Sequence, residues 1–249
     1  MNDWPYPKLF AHRGGGRLAP ENTLSAIRLG QSIGYRAAEF DVKLTRDDVA
    51  ILLHDATLDR TTSGHGLAGD RDWAELAGLD AGAWHSETYR GEPLARFDEA
   101  AKALLSGGSL ANVEIKPSPG RERETGLKVA AATVALWAGA SAPPLLSSFS
   151  LEALLAAKEV APVLPRGWLV DAPAEEDFDR LDRLEAVSLH FSHRYATPVL
   201  LDRIHASGRR AMVWTVNEVP TAEALLAWGV DGLFTDNLRE FAVRFPALI

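Results

Sequence analysis

Glu39 and Asp41 stand two residues apart in the apolar, strand-like run Ala37-Ala38-Glu39-Phe40-Asp41-Val42-Lys43-Leu44. Side chains alternate between the faces of a strand, so the two carboxylates point the same way. Like charges on one buried face repel, and burying them is costly unless something positive lies between them. A metal ion is the simplest such partner. Glu114 and Lys116 repeat the two-residue spacing in the run Leu110 to Lys116, and Glu114 supplies a third acid. Taken singly, each acid reads as a salt bridge or a strand end facing solvent. Three that converge, two of them in one strand, favour a cation. Oxygen ligands without cysteine suit Mg2+ or Ca2+ better than zinc.

Other groups fit chemistry at phosphorus around such a cation. His12 and His54 can each give or take a proton near neutral pH. On opposite sides of a phosphorus centre, one would take a proton from the attacking oxygen and the other would protonate the leaving oxygen. Arg13 offers a planar fork to phosphate and Lys116 a point charge. Trp214 offers an apolar wall for a substrate alkyl part, although a buried core Trp is commoner. Gly14-Gly15-Gly16 permits close backbone approach but matches no phosphate-loop or dinucleotide fingerprint. His65, His85, His193 and His205 fall in loops or helices and read as surface or structural. His190 lies in a strand and reads as readily as a satisfied core histidine.

Elements that could bring these residues together are visible along the chain. Short β-rich runs alternate with longer helical patterns. The helix after Pro20 starts at an Asn22 or Thr23 cap and stops at Gly34. Arg46-Asp47-Asp48 reads as a turn leading to a hairpin arm, Val49 to His54. With that arm set aside, eight strands begin near residues 8, 36, 110, 145, 163, 186, 210 and 230. Repeated strand–helix units imply a parallel sheet, and eight fit an α/β (β/α)8 barrel, with an open doubly wound sheet as runner-up. One barrel domain over residues 1–249 is expected, interrupted at about 55–96 by an insertion with a short helix near Trp73 to Leu76. Barrel active sites lie at the carboxyl ends of strands. His12, Asp41, Glu114, Lys116 and Trp214 fall near such ends, and His54 ends the arm.

Composition narrows the function further. The net charge is −8 with scattered basic residues, against a general nucleic-acid binder. No cysteine is present, so disulfides and thiol chemistry are excluded. Residues 1–8 show no secretory signal pattern and no apolar run approaches the ~20 residues of a membrane helix, so no stable membrane insertion is expected.

Several short motifs occur in a fixed order: His12-Arg13-Gly14, Pro20-Glu21-Asn22-Thr23, Glu39-Phe40-Asp41-Val42, Leu53-His54-Asp55, Arg60-Thr61-Thr62-Ser63-Gly64, Val113-Glu114-Ile115-Lys116, Trp214-Thr215-Val216-Asn217 and Gly232-Leu233-Phe234-Thr235-Asp236. In this the chain resembles the glycerophosphodiester phosphodiesterases, in particular the short cytoplasmic bacterial members. The resemblance implies a (β/α)8 barrel with a small insertion after the second strand. It implies a divalent cation, Mg2+ or Ca2+, on Glu39, Asp41 and Glu114. It also implies an acid/base pair in His12 and His54, with Arg13 and Lys116 on the phosphate. The implied substrate is a small glycerophosphodiester, cleaved to sn-glycerol 3-phosphate and an alcohol, with attack by the substrate's own 2-hydroxyl the usual proposal for the family. The alternative is a lysophospholipase D-like activity, for which Trp84, Tyr89, Phe149 and Trp214 would line an apolar entry. Arg46-Asp47-Asp48 departs from the Asp-Gly turn frequent in the family.

Overall fold

A computed structural model describes residues 4–249. Met1, Asn2 and Asp3, part of the N-terminal stretch read for a signal pattern, lie outside the described residues. Among the described residues nine strands form one sheet: β1 (Leu9–Ala11), β2 (Ala37–Leu44), β3 (Ala50–Leu52), β4 (Leu110–Ile115), β5 (Leu145–Ser148), β6 (Arg166–Val170), β7 (Ser188–Ser192), β8 (Arg210–Trp214) and β9 (Gly232–Thr235). The order is β1-β9-β8-β7-β6-β5-β4-β2-β3, and β1 also pairs with β2. That last pairing, Ala11 beside Ala38, closes eight parallel strands into a barrel. An open doubly wound sheet is thereby excluded. β3 lies outside the closed ring, antiparallel to the second half of β2, with Val42 beside Leu52.

The surrounding helices are α1 (Leu24–Ile33), α3 (Phe97–Ser106), α4 (Glu122–Leu136), α5 (Leu151–Val160), α6 (Glu176–Leu184), α7 (Pro198–Ala206), α8 (Val219–Ala227) and α9 (Leu238–Arg244), with the short α2 (Trp73–Leu76) in the insertion. Thr23, not Asn22, caps α1, its hydroxyl accepting from the Ala26 N–H, and Gly34 ends it at φ 113°. The main core fills the space between strands and helices, with Phe40, Val42, Phe97, Leu104 and Phe191 buried in it. Burying each such side chain contributes about 1.5–3 kcal/mol.

The segment at 55–96 is a folded unit rather than a bare excursion. Ile51, Leu53, Leu58, Ala68, Leu76, Ala81 and Leu94 form a second apolar cluster. Glu92 fastens it to α1, accepting from the Ser25 N–H at 3.0 Å and the Ser25 hydroxyl at 2.5 Å. At the β2–β3 turn Asp48 takes the left-handed backbone (φ 67°) that glycine adopts more easily. Arg121 and Lys128 hold its carboxylate there.

Candidate active site

The strand register arranges the acids. Asp41 lies beside Glu114 across the β2–β4 pairing, and Glu39 lies one pleat earlier beside Asn112. All three are buried, and one oxygen from each falls within 4.8 Å of the others. Asp41 Oδ2 accepts from Asn22 Nδ2 at 2.8 Å, and the Asp41 N–H donates to Asn22 Oδ1 at 3.0 Å. Asp41 Oδ1 is buried and accepts no hydrogen bond, although Lys116 Nζ stands 3.4 Å away. Buried acceptors are rarely left unpaired. An unpaired carboxylate oxygen on one of three converging acids fits a hard cation, so the donor set suits Mg2+ or Ca2+.

Burial, then the charge of Asp41, pushes Glu39 up to about 8 and Glu114 up to about 7. Asp41 is also opposed by burial. The charges of Lys116, His54 and Arg13 and the Asn22 bond outweigh that and hold it below the usual range.

Two imidazoles flank the acids, each steered through Nδ1. His12 Nδ1 is 2.7 Å from Asp236 Oδ1, which leaves Nε2 3.8 Å from Glu39 Oε2. His54 Nδ1 is 2.7 Å from Asp55 Oδ1. Burial disfavours the charged form of both rings. For His12 the Asp236 bond and the charge of Glu39 prevail, and its pKa rises. For His54 burial prevails over the opposing charge of Asp41, and its pKa falls.

The steering groups are themselves braced. Asp236 accepts from Asn217 Nδ2 at 3.1 Å, and its N–H donates to Asn217 Oδ1 at 2.8 Å. Arg60, from the insertion, grips Asp55 at 2.6 and 3.1 Å. Its fork also grips Glu21, with both bonds at 2.8 Å. Glu21 in turn accepts from Arg13 Nη1 at 2.6 Å. Arg13 is a left-handed residue (φ 50°) whose N–H donates to Glu39, and Asn22 is another (φ 58°). Such backbone costs about 1–3 kcal/mol per residue and persists where neighbours over-determine it.

All eight residues singled out in the sequence line one cavity of about 170 Å3: His12, Arg13, Glu39, Asp41, His54, Glu114, Lys116 and Trp214. Lys116 Nζ donates to Glu114 at 2.6 Å. Trp214 meets Phe149 edge-on at 5.9 Å between ring centres, and Lys116 Nζ lies 5.4 Å from the Phe149 ring. Of the other residues expected at an apolar entry, Trp84 lines an adjoining depression with His12 and Arg13, while Tyr89 donates its hydroxyl to the Leu18 carbonyl, in neither lining. His54 lies two residues beyond the end of β3 instead of inside it. His190 is not a satisfied core histidine: it lines the cavity and its Nδ1 has no partner.

Several supporting groups carried no role in the sequence reading. Lys43 is one, its amine buried and donating to the carbonyls of His54 (3.4 Å) and Lys116 (3.3 Å). Burial pushes it down to about 8. The alternation that paired Glu39 with Asp41 also put Lys43 on their face. Asn22, Asp55, Arg60, Asn217 and Asp236 stand inside the ordered motifs; Asp55 holds its neighbour His54, while Asn22, Arg60, Asn217 and Asp236 reach partners 19 or more residues away that spacing gives no sign of.

Residues 12–240 match the model of the glycerophosphoryl diester phosphodiesterase family. The chain belongs to that family. A glycerophosphodiester phosphodiesterase of Caldanaerobacter subterraneus subsp. tengcongensis is 31% identical over 233 residues, covering 92% of this chain and 93% of the relative. A solved Oleispira antarctica phosphodiesterase, in complex with the product sn-glycerol-3-phosphate, superposes with a TM-score of 0.91 at 33% identity over 97% of each chain. An Agrobacterium tumefaciens glycerophosphodiester phosphodiesterase superposes at 0.79 with 26% identity, covering 95% of this chain and 99% of the other. Among the described residues of this family member, no helix is long and apolar enough to cross a membrane.

Proposed function

We propose that the chain hydrolyses glycerophosphodiesters to sn-glycerol 3-phosphate and an alcohol, at a divalent cation, Mg2+ or Ca2+, held by Glu39, Asp41 and Glu114. The observation that carries this reading is the buried acid triad, one of whose Asp41 oxygens accepts no hydrogen bond, with two carboxylate-steered histidines in the same cavity. Family membership and the product-bound Oleispira relative support the same substrate class.

When bound, the cation supplies Lewis-acid polarisation of a phosphoryl oxygen and neutralises the triad. The chain's own groups divide the rest. Lys116 and Arg13 bring positive charge to the cavity and take the non-bridging phosphate oxygens. The histidine environments push the two pKa values apart, which assigns the proton roles. His54, lowered, is neutral near pH 7 and takes at Nε2 the proton of the attacking 2-hydroxyl; the cyclic phosphate so formed is then opened by a water that adds its oxygen to phosphorus, with the two histidine roles exchanged, to leave sn-glycerol 3-phosphate. His12, raised, keeps its proton to higher pH than His54 does and gives its Nε2 proton to the leaving oxygen. Asp55 and Asp236 hold the two rings by Nδ1, so each Nε2 is the atom left for the reaction. Phe149 and Trp214 form the apolar wall against which the leaving alcohol packs.

A second reading, cleavage of lysophospholipids, draws on the 44% exposure of Phe149 at this wall. Parallel assays on glycerophosphocholine and lysophosphatidylcholine, with choline release as the readout, separate the two. Faster turnover of glycerophosphocholine is expected. Turnover of the lysolipid alone would favour the second reading, and turnover of neither would remove both.

A further inference from the structure

Beside the acids the cavity has a polar, uncharged floor. Asn112, Ser147 and His190 line it, and the three are almost completely buried. They come from β4, β5 and β7, and the register places Asn112 beside Glu39 and Ser147 beside Glu114. Gly167 on β6 makes the space: a Cβ there would stand 2.3 Å from His190 Nε2 and 2.8 Å from Ser188 Oγ. The floor is therefore built around the imidazole.

Its hydrogen bonding is incomplete. Asn112 Nδ2 donates to Ser147 Oγ at 2.9 Å, which leaves Asn112 Oδ1 buried without a partner. Ser147 has accepted that bond, and its own proton goes to no group among the described residues. His190 Nε2 is 2.8 Å from Ser188 Oγ, and Nδ1 is buried without a partner. An unmet acceptor, an unmet hydroxyl proton and an unmet ring nitrogen in one cavity are costly unless something completes them. A hydroxyl both donates and accepts, so it answers all three kinds of group. His190 itself offers an anion no charge, because burial pushes it down to about 3 and keeps it neutral.

We propose that Asn112, Ser147 and His190 form a hydroxyl-recognition floor that binds the glyceryl group of the substrate. This rests on the glycerophosphodiester reading above and adds the residues that choose glycerol over a plain alkyl chain. The ligand is the part of the substrate retained in sn-glycerol 3-phosphate. A site built to hydrogen-bond a hydroxyl rejects an analogue that lacks it, because the buried polar groups are then left unpaired.

The test is calorimetric binding of sn-glycerol 3-phosphate and of propyl phosphate, its hydroxyl-free counterpart, to cation-loaded protein. Wild type is expected to prefer sn-glycerol 3-phosphate. Asn112→Leu and His190→Leu are each expected to shrink that preference by about 3–10-fold, the worth of a hydrogen bond, with propyl phosphate binding unchanged. His190→Gln, which keeps a polar group, should retain more of the preference than His190→Leu and guards against loss of folding. If wild type turns over glycerophosphocholine but binds the two phosphates alike, the floor proposal fails alone. It fails equally if the variants weaken both phosphates together, as a merely structural or water-filled floor would. If wild type neither hydrolyses glycerophosphocholine nor binds either phosphate, the glycerophosphodiester reading falls with it.

Discussion

Stripping the divalent cation should make stability fall between pH 6.5 and 8. The cause is the folded pKa of Glu39, about 8, and of Glu114, about 7, both raised by burial and the charge of Asp41. An unfolded glutamate titrates near ~4.3. Through this window the folded chain holds protons that the unfolded chain has released, so stability declines as pH rises. At about 1.4 kcal/mol per unit, Glu39 accounts for about 2 kcal/mol across the window and Glu114 for less than ~1. Other shifts in the site act elsewhere or with the same sign. His54 and His190, lowered mainly by burial, act below the unfolded histidine value of ~6.5. Lys43, pushed down to about 8, acts above the window. His12, raised, adds to the decline. A loss of about 3 kcal/mol corresponds to roughly 6–12 °C in Tm for a chain of this size. Calorimetry of chelator-treated protein at pH 6.5 and 8, with and without Ca2+ or Mg2+, reads this directly. The cation removes the repulsion, so its gain in Tm should be larger at pH 8. The double substitution Glu39→Gln with Glu114→Gln should flatten the decline. A cation gain independent of pH, or none, would refute the electrostatic argument for the triad.

His54→Ala should lower kcat by roughly 10²–10⁴-fold, the range for a general acid or base, in steady-state assays on glycerophosphocholine; an unchanged kcat would remove His54 from the reaction. The profile of kcat/KM should be bell-shaped, rising as His54 loses its proton below pH 6.5 and falling as His12 loses its proton above it. Asp236→Asn should move only the alkaline limb, to lower pH, since Asp236 helps hold the His12 proton. Arg60→Ala should lower kcat about 10–100-fold without contact to the phosphate, by releasing both Asp55 and Glu21. Arg60→Lys should rescue little, because a point charge cannot grip two carboxylates at once; wild-type kinetics in Arg60→Ala would make the bridge merely structural.

Much of the fold was legible because it rests on local rules. Period-two alternation placed Glu39, Asp41, Glu114 and Lys116 on inward faces, and glycine and hydroxyl caps marked helix ends such as Thr23 and Gly34. Barrel closure was harder to read, since the deciding contact joins Ala11 to Ala38 through a strand of only three residues. The second core under the insertion was missed because its apolar residues are spread irregularly between glycines and charges. The braces were missed for a different reason. Asp236 reaches His12 across 224 residues, and Arg60 reaches Glu21 across 39, and no periodicity reports such pairs. The unpaired Nδ1 of His190 depends on which neighbours surround it, so only the folded chain distinguishes it from a satisfied core histidine.

The central claim is cation-dependent release of sn-glycerol 3-phosphate at the Glu39–Asp41–Glu114 triad. The direct measurement is phosphorus NMR of glycerophosphocholine incubated with chelator-treated protein, before and after Ca2+ or Mg2+ is restored, with Glu114→Gln alongside. No product is expected without cation, sn-glycerol 3-phosphate once it is restored, and little product from the variant. Full product formation after exhaustive chelation, or undiminished turnover by Glu114→Gln, would contradict it.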